Sequence, residues 1–216
     1  MYDRLLFDLD GTLTDSFDGV ANSVIYALER MGYRDIDKSA LRPFLGPPLD
    51  YSFKTIYGMT DAQADEAVRL YREYYRPHGW LENSVYDGVP QMLSALKSAG
   101  KHLAVATSKP EQFAKRILDR FGLAEYFEFI GGATLDDKRS EKPAVVKYTL
   151  DSFCPDKTAA LMIGDRKYDV EGAKLNGIAA MGVLYGYGDK QELVSAGATL
   201  LADTPADIAR IILQDD

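Results

Sequence analysis

Arg4-Leu5-Leu6-Phe7-Asp8-Leu9-Asp10-Gly11-Thr12-Leu13-Thr14 opens the chain with an apolar run that closes on two acids and a glycine. The run is far too short for a signal-peptide core. It follows the acid and base of Asp3 and Arg4, and it reads as a strand buried on both faces. Alternation along such a strand points Asp8 and Asp10 the same way, with Leu9 opposed. In an open α/β sheet, ligands bind just outside the carboxyl ends of the strands, where these two acids stand. Asp10-Gly11 also suits an ordinary turn that ends a strand, and the stretch by itself leaves both readings open.

Outward from this stretch, similar short apolar runs recur at 103–106, 127–130, 159–163, 178–184 and 200–202. Stretches of helical spacing lie at 89–99, 112–121, 144–153, 170–175 and 205–213. Strand alternating with helix is the pattern of a doubly wound parallel sheet, so the fold class is α/β. One interval breaks the rhythm. About ninety residues separate the first two runs, whereas a βαβ unit needs about thirty. Within that interval Val20, Val24, Ala27, Leu28 and Met31 follow helical spacing, as do Ala64, Ala67, Val68, Tyr71 and Tyr75. Gly46-Pro47-Pro48 punctuates its middle and Asp87-Gly88 marks the return. We expect a core of residues 1–14 and 84–216 and an inserted helical cap of residues 15–83.

The 216 residues suffice for such a core plus a small accessory domain. A hydrophobic share of 46% with 27% charged residues is that of a folded globular protein. A net charge of −8 disfavours nucleic-acid polymers and anionic membrane surfaces as partners, and a small anion then needs a local cluster of cations. No stretch approaches the roughly 20 apolar residues of a membrane span. The single cysteine, Cys154, reads as an apolar filler and fits a reducing compartment, so the expected location is cytoplasmic.

A second acidic pair strengthens the first. Ile163-Gly164-Asp165 closes another strand and Asp169 follows four residues later, on the same face of a helical turn. Asp169 also suits a helix N-cap. If the first and fourth strands are neighbours, Asp8, Asp10, Asp165 and Asp169 meet in an oxygen-rich site suited to magnesium. The two histidines, His78 and His102, are too few and too far apart for zinc. Thr107-Ser108-Lys109-Pro110 follows the second strand as a loop whose hydroxyls and amides suit phosphate oxygens, or merely cap the next helix. Lys142 lies in a loop before a helix, where a solvated lysine is equally ordinary.

The ordered set resembles the haloacid dehalogenase superfamily. Asp8-Leu9-Asp10-Gly11-Thr12 matches its first motif, Thr107 the second, Lys142 the third and Gly164-Asp165-Arg166-Lys167-Tyr168-Asp169 the fourth. The resemblance covers nearly the whole chain and implies a Rossmann-like core with a helical cap between the first two motifs. Gly46-Pro47-Pro48-Leu49 and Thr107-Ser108-Lys109-Pro110 look like the phosphoglycolate phosphatase group, although Ser108 replaces its usual Asn. Residues 135–142 and 182–188 look closer to a 5′-nucleotidase-like branch, and Lys142-Pro143-Ala144-Val145 lacks the second proline of the commoner third motif.

The resemblance implies a magnesium-dependent phosphatase of small phosphate monoesters. Asp8 is then the nucleophile and Asp10 the acid and base, with Thr107, Ser108 and Lys142 on the phosphate. Asp8, Asp10 (through its carbonyl), Asp165 and Asp169 are expected around the metal, and Arg42, Tyr75 and Arg76 of the cap are candidates for selectivity. A β-phosphoglucomutase-type isomerase shares every core motif. A non-enzymatic phosphate-sensing domain is the third reading. Dehalogenation fits less well, because it needs neither a second acid nor a metal. The expected partner is a small phosphate ester, and the expected assembly a monomer or weak homodimer.

Overall fold

The computed structural model describes residues 2–135, 139–154 and 156–214. The chain divides into two compact units, Met1–Asp15 with Val85–Asp216, and Ser16–Ser84. It begins with β1 (Arg4–Phe7) and reaches β2 (Thr14–Asp15) before leaving the first unit. The second unit holds α1 (Phe17–Arg30), a 3-10 turn at Lys38–Phe44, α2 (Leu49–Tyr57) and α3 (Asp61–Tyr75). The chain returns through β3 (Ser84–Val85). Then follow α4 (Val89–Ser98), β4 (His102–Pro110), α5 (Glu111–Arg120), β5 (Phe129–Ala133) and α6 (Lys142–Phe153). The first unit closes with β6 (Ala160–Gly164), α7 (Lys167–Leu175), β7 (Ala179–Val183), α8 (Lys190–Ala196), β8 (Leu200–Ala202) and α9 (Pro205–Gln214).

The six-stranded sheet has the order β5-β4-β1-β6-β7-β8 and every pairing in it is parallel. Strand β1 is central. Its Leu5, Leu6 and Phe7 are wholly buried, which explains an uninterrupted apolar run where a half-exposed strand alternates. Leu6 packs with Ala104, Ala106 and Met162 of its neighbours and with Val145, Val146 and Leu150 of α6. Strand β5 sits later than its apolar run, ending on Gly131-Gly132-Ala133. A side chain at Gly132 would lie 2.6 Å from the Glu111 backbone, so close approach of α5 rather than strand propensity decides these residues.

In the second unit, α1 buries Val20, Val24, Ala27 and Leu28, and α3 buries Ala64, Ala67, Leu70, Tyr71 and Tyr75. Thr60 and Gln63 form a capping box that starts α3. Helix α2, beyond the helices expected there, is bounded by Pro48 and by the left-handed Gly58, and it buries Phe53 edge-on against Phe44. Among the described residues no helix is long and apolar enough to cross a membrane.

Candidate active site

Strands β1 and β6 lie side by side with Phe7 opposite Ile163, and the Asp8 N–H donates to the Ile163 carbonyl at 2.9 Å. Asp8 therefore leaves β1 level with the end of β6, where Asp165 follows Gly164. Asp169 stands in the first turn of α7. Carboxylate oxygens of Asp8, Asp165 and Asp169 all lie within 4.8 Å of one another. Gly11 makes room for this: its φ is +81°, and a Cβ there would sit 2.2 Å from Asp165 Oδ2.

Each acid is held. The Leu9 N–H donates to Asp8 Oδ1 at 2.8 Å. Thr12 Oγ1 donates to Asp165 Oδ1 at 3.4 Å and the Tyr187 N–H to Asp165 Oδ2 at 2.8 Å. Arg166, not Asp169, occupies the N-cap of α7. Asp169 instead reaches back from the third helical position, its Oδ2 accepting from the Arg166 N–H at 3.0 Å. Its other oxygen is left for the cluster.

Lys142 is neither solvated nor in a loop, as its ordinary reading had it. It is the first residue of α6 and 5% exposed. Its Nζ lies 2.8 Å from Asp8 Oδ1 and 2.8 Å from Asp169 Oδ1, and donates to the Ala106 carbonyl at 3.2 Å. Those three partners match the three donors of an ammonium. Burial opposes its charge, but Asp169 and Asp8 outweigh burial and hold the proton on Lys142 well above the usual lysine range.

Burial raises the Asp8 carboxyl above its ordinary value; Lys142 counters this and the Asp169 charge adds to it. Burial, then the charges of Asp169 and Asp8, push Asp165 well above the usual carboxylate range. When ionised, the three carboxylates face one ammonium and leave an excess of two negative charges. An all-oxygen set with that excess fits a hard divalent cation such as magnesium, and it offers no nitrogen or sulfur donor to a softer metal.

The carboxylate of Asp10 does not join this group. Strand β1 ends at Phe7, and the N–H groups of Thr12, Leu13 and Thr14 all turn back onto the Leu9 carbonyl, so alternation stops before Asp10. Asp10 Oδ2 instead accepts from Lys109 Nζ at 2.6 Å. The expected four-acid meeting is thus a group of three with an ion pair beside it.

Lys109 had no assigned part in the sequence reading. The signal was present: with a period of two it shares a side with Thr107. Nor is Thr107-Ser108-Lys109-Pro110 a loop. β4 continues through it to Pro110, with the register on β5 shifting between Thr107 and Pro110. Thr107 is buried and its Oγ1 accepts from the Lys109 N–H at 3.2 Å, while Ser108 is half-buried.

Arg42, Tyr75 and Arg76 belong to the second unit. Arg42 is exposed, with its guanidinium 5.5 Å from the Phe17 ring centroid, and Arg76 is exposed past the end of α3. Tyr75 is buried and stacks on Tyr71 at 5.4 Å, so packing accounts for its ring. Within the stretch 135–142, Asp136, Asp137 and Lys138 lie outside the described residues.

Comparison with known proteins agrees with this geometry. The model of the haloacid dehalogenase-like hydrolase family matches residues 5–183. A 5′-nucleotidase of Pseudomonas aeruginosa is 46% identical over 192 residues, covering 89% of this chain and 87% of that protein. The tyrosine-protein kinase PtkA of Mycobacterium tuberculosis is 40% identical over 184 residues, 85% of this chain but 62% of that longer protein. The crystal structure of a predicted phosphatase from Clostridium acetobutylicum superposes with a TM-score of 0.94 at 45% identity, covering 99% of each chain. With its parallel sheet, its ordered motifs and the acids gathered at the ends of β1 and β6, the chain belongs to the haloacid dehalogenase-like hydrolase family.

Proposed function

We propose that this hydrolase is a magnesium-dependent phosphatase of small phosphate monoesters, with nucleoside 5′-monophosphates as the substrate class to test first. One observation carries the reading. Asp8 presents a carboxylate at the end of the central strand, inside the group it forms with Asp165 and Asp169 and in contact with the Lys142 ammonium. The substrate class rests on the 46% identity to a 5′-nucleotidase, above the resemblance to phosphoglycolate phosphatases.

In this reading an Asp8 oxygen attacks phosphorus, the bond from phosphorus to the leaving oxygen breaks, and Asp10 gives that oxygen its proton. Water then attacks the aspartyl phosphate, Asp10 takes the water's proton, and inorganic phosphate leaves as Asp8 is regenerated. Asp8, Asp165 and Asp169 would hold the magnesium ion, which would supply neutralisation of the negative charge gathered there. Lys142 orients Asp8 and lends its positive charge to the phosphate that Asp8 attacks. Thr107, with Ser108 beside it, donates to the phosphate oxygens. Lys109 keeps the Asp10 carboxylate turned away from the three clustered acids. Selectivity is assigned to the helical unit, where Arg42 and Arg76 are exposed cations.

The test is phosphate release with magnesium from a panel of nucleoside 5′-monophosphates, phosphoglycolate and hexose phosphates. Turnover is expected on nucleotides and is expected to disappear in Asp8→Asn. Turnover that survives Asp8→Asn contradicts the mechanism. A positional isomer of a hexose phosphate, formed in place of free phosphate, favours the mutase-type isomerase.

A further inference from the structure

The loop after β7, Tyr185-Gly186-Tyr187-Gly188, belongs to none of the four motifs, yet it lies against the clustered acids. A Cβ on Gly186 would stand 2.3 Å from Asp165 Cβ and 2.4 Å from the Gly11 carbonyl, and one on Gly188 2.1 Å from the Asp165 carbonyl. Only hydrogen fits at either place. Between them the Tyr187 N–H donates to Asp165 Oδ2 at 2.8 Å.

Both tyrosine hydroxyls of the loop reach the segment that follows Asp10. Tyr185 Oη donates to the Thr12 carbonyl at 2.8 Å, and Tyr187 Oη donates to Asp15 Oδ1 at 2.8 Å. Thr12 in turn donates its hydroxyl to the opposite oxygen of Asp165. The Tyr86 ring meets Tyr185 edge-on at 5.1 Å. Backbone contact, an amide and two phenols thus join Asp165 to residues 11–15 in a closed circuit within the first unit.

We propose that Tyr185-Gly186-Tyr187-Gly188 is a positioning loop that orients the Asp165 carboxylate for the metal, with the Tyr187–Asp15 hydrogen bond as its anchor. This rests on the reading of Asp165 as a metal ligand. The physical reason is geometric. Asp165 is wholly buried and each of its oxygens meets one donor, the Thr12 hydroxyl on Oδ1 and the Tyr187 amide on Oδ2, and that amide is fixed only as well as the loop that carries it. Tyr187 is a positioning residue: its hydroxyl reaches Asp165 only through its own backbone.

The test is calorimetric titration of the metal-free full chain with magnesium chloride, beside the unfolding temperature of each variant without metal. Tyr187→Phe keeps the amide and loses the anchor. Partners beyond the ligands typically alter metal affinity 10–100-fold, and loss of an anchor one step further out is expected to weaken magnesium by about three- to tenfold. Asp15→Asn retains an acceptor oxygen and is expected to bind as wild type, whereas Asp15→Ala is expected to match Tyr187→Phe. The Tyr187 hydroxyl also hydrogen-bonds the Tyr86 side chain, so the double variant Tyr187→Phe/Asp15→Ala is expected to lie within about twofold of Tyr187→Phe, which has already removed the bond that Asp15→Ala removes.

Wild-type affinity in Tyr187→Phe, together with lost binding in Asp165→Asn, overturns the loop's role and leaves Asp165 as a ligand. Additive losses in the double variant overturn the anchor as well. Unchanged binding in Asp165→Asn, or no binding by wild type, overturns both the loop and the metal site on which it depends.

Discussion

Lys109 and Asp10 form an ion pair beside the three clustered acids, and both are placed by backbone irregularities rather than by regular strand geometry. Asp10 lies where β1 has already turned back on the Leu9 carbonyl, and Lys109 lies where β4 slips its register. Lys109→Met removes the donor at 2.6 Å that holds Asp10. If Asp10 is the acid and base, kcat is expected to fall by about 100-fold or more, with KM changing little, the range of general acid-base catalysis being 10²–10⁴. Steady-state kinetics on the best substrate checks this, and an unchanged kcat contradicts it. The three clustered acids were legible from two strand ends and a spacing of four. Lys109 was overlooked although it shares a period of two with Thr107, because Lys and Pro are poor strand formers and the stretch passes for a loop.

Helix α6 begins at a buried lysine, an unusual first residue, with Pro143 next to it. The start is fixed by chemistry outside the helix, since Lys142 joins Asp8, Asp169 and the Ala106 carbonyl. Removing one partner of a buried charged group leaves the others uncompensated, at a cost of about 3–5 kcal/mol. Lys142→Met is therefore expected to lower the unfolding free energy of the metal-free protein by about that amount at pH 7. Denaturant titration measures it, and an unchanged midpoint contradicts the role given to Lys142.

Other elements show what a single sequence conveys. The long strands and α1, α3, α4, α5 and α9 announce themselves by apolar period. Helix α8 has seven residues and one buried side chain, Leu193, so no period betrays it. Only the Asp189 side chain accepting from the Glu192 N–H marks its start. Gly46-Pro47-Pro48 does punctuate the chain, with Pro48 at the N-cap of α2, but the helix that follows buries only Ser52 and Phe53, so no apolar period announces it.

Across the whole molecule the clustered acids set a conflict between stability and function. Asp8 and Asp165 carry raised carboxyl values when folded, so between the ordinary value near 3.8 and the raised ones the native state holds more protons than the unfolded chain. Their contribution to stability therefore declines as pH rises through that window, and ionising them for a metal costs most where protons are retained. If magnesium binds these acids it must release those protons, so its stabilising effect is expected to grow with pH. At about 100 times the dissociation constant the gain is about 2.7 kcal/mol. For a chain of this size that corresponds to a rise of roughly 5–10 °C in Tm. Thermal unfolding with and without magnesium at pH 5.5 and pH 8 checks this; an equal or larger shift at the lower pH contradicts it. By the same sign, Asp165→Asn is expected to raise the metal-free Tm while abolishing the response to magnesium.

The most direct measurement is chemical trapping at residue 8. Enzyme turning over a nucleoside 5′-monophosphate with magnesium is quenched and treated with borohydride, which reduces an aspartyl phosphate to homoserine, and the N-terminal peptide is weighed by mass spectrometry. The predicted result is conversion of Asp8, with Asp10, Asp165 and Asp169 unaltered. Conversion at another acid, or an unmodified peptide from enzyme that is releasing phosphate, contradicts the assignment of Asp8 as the nucleophile.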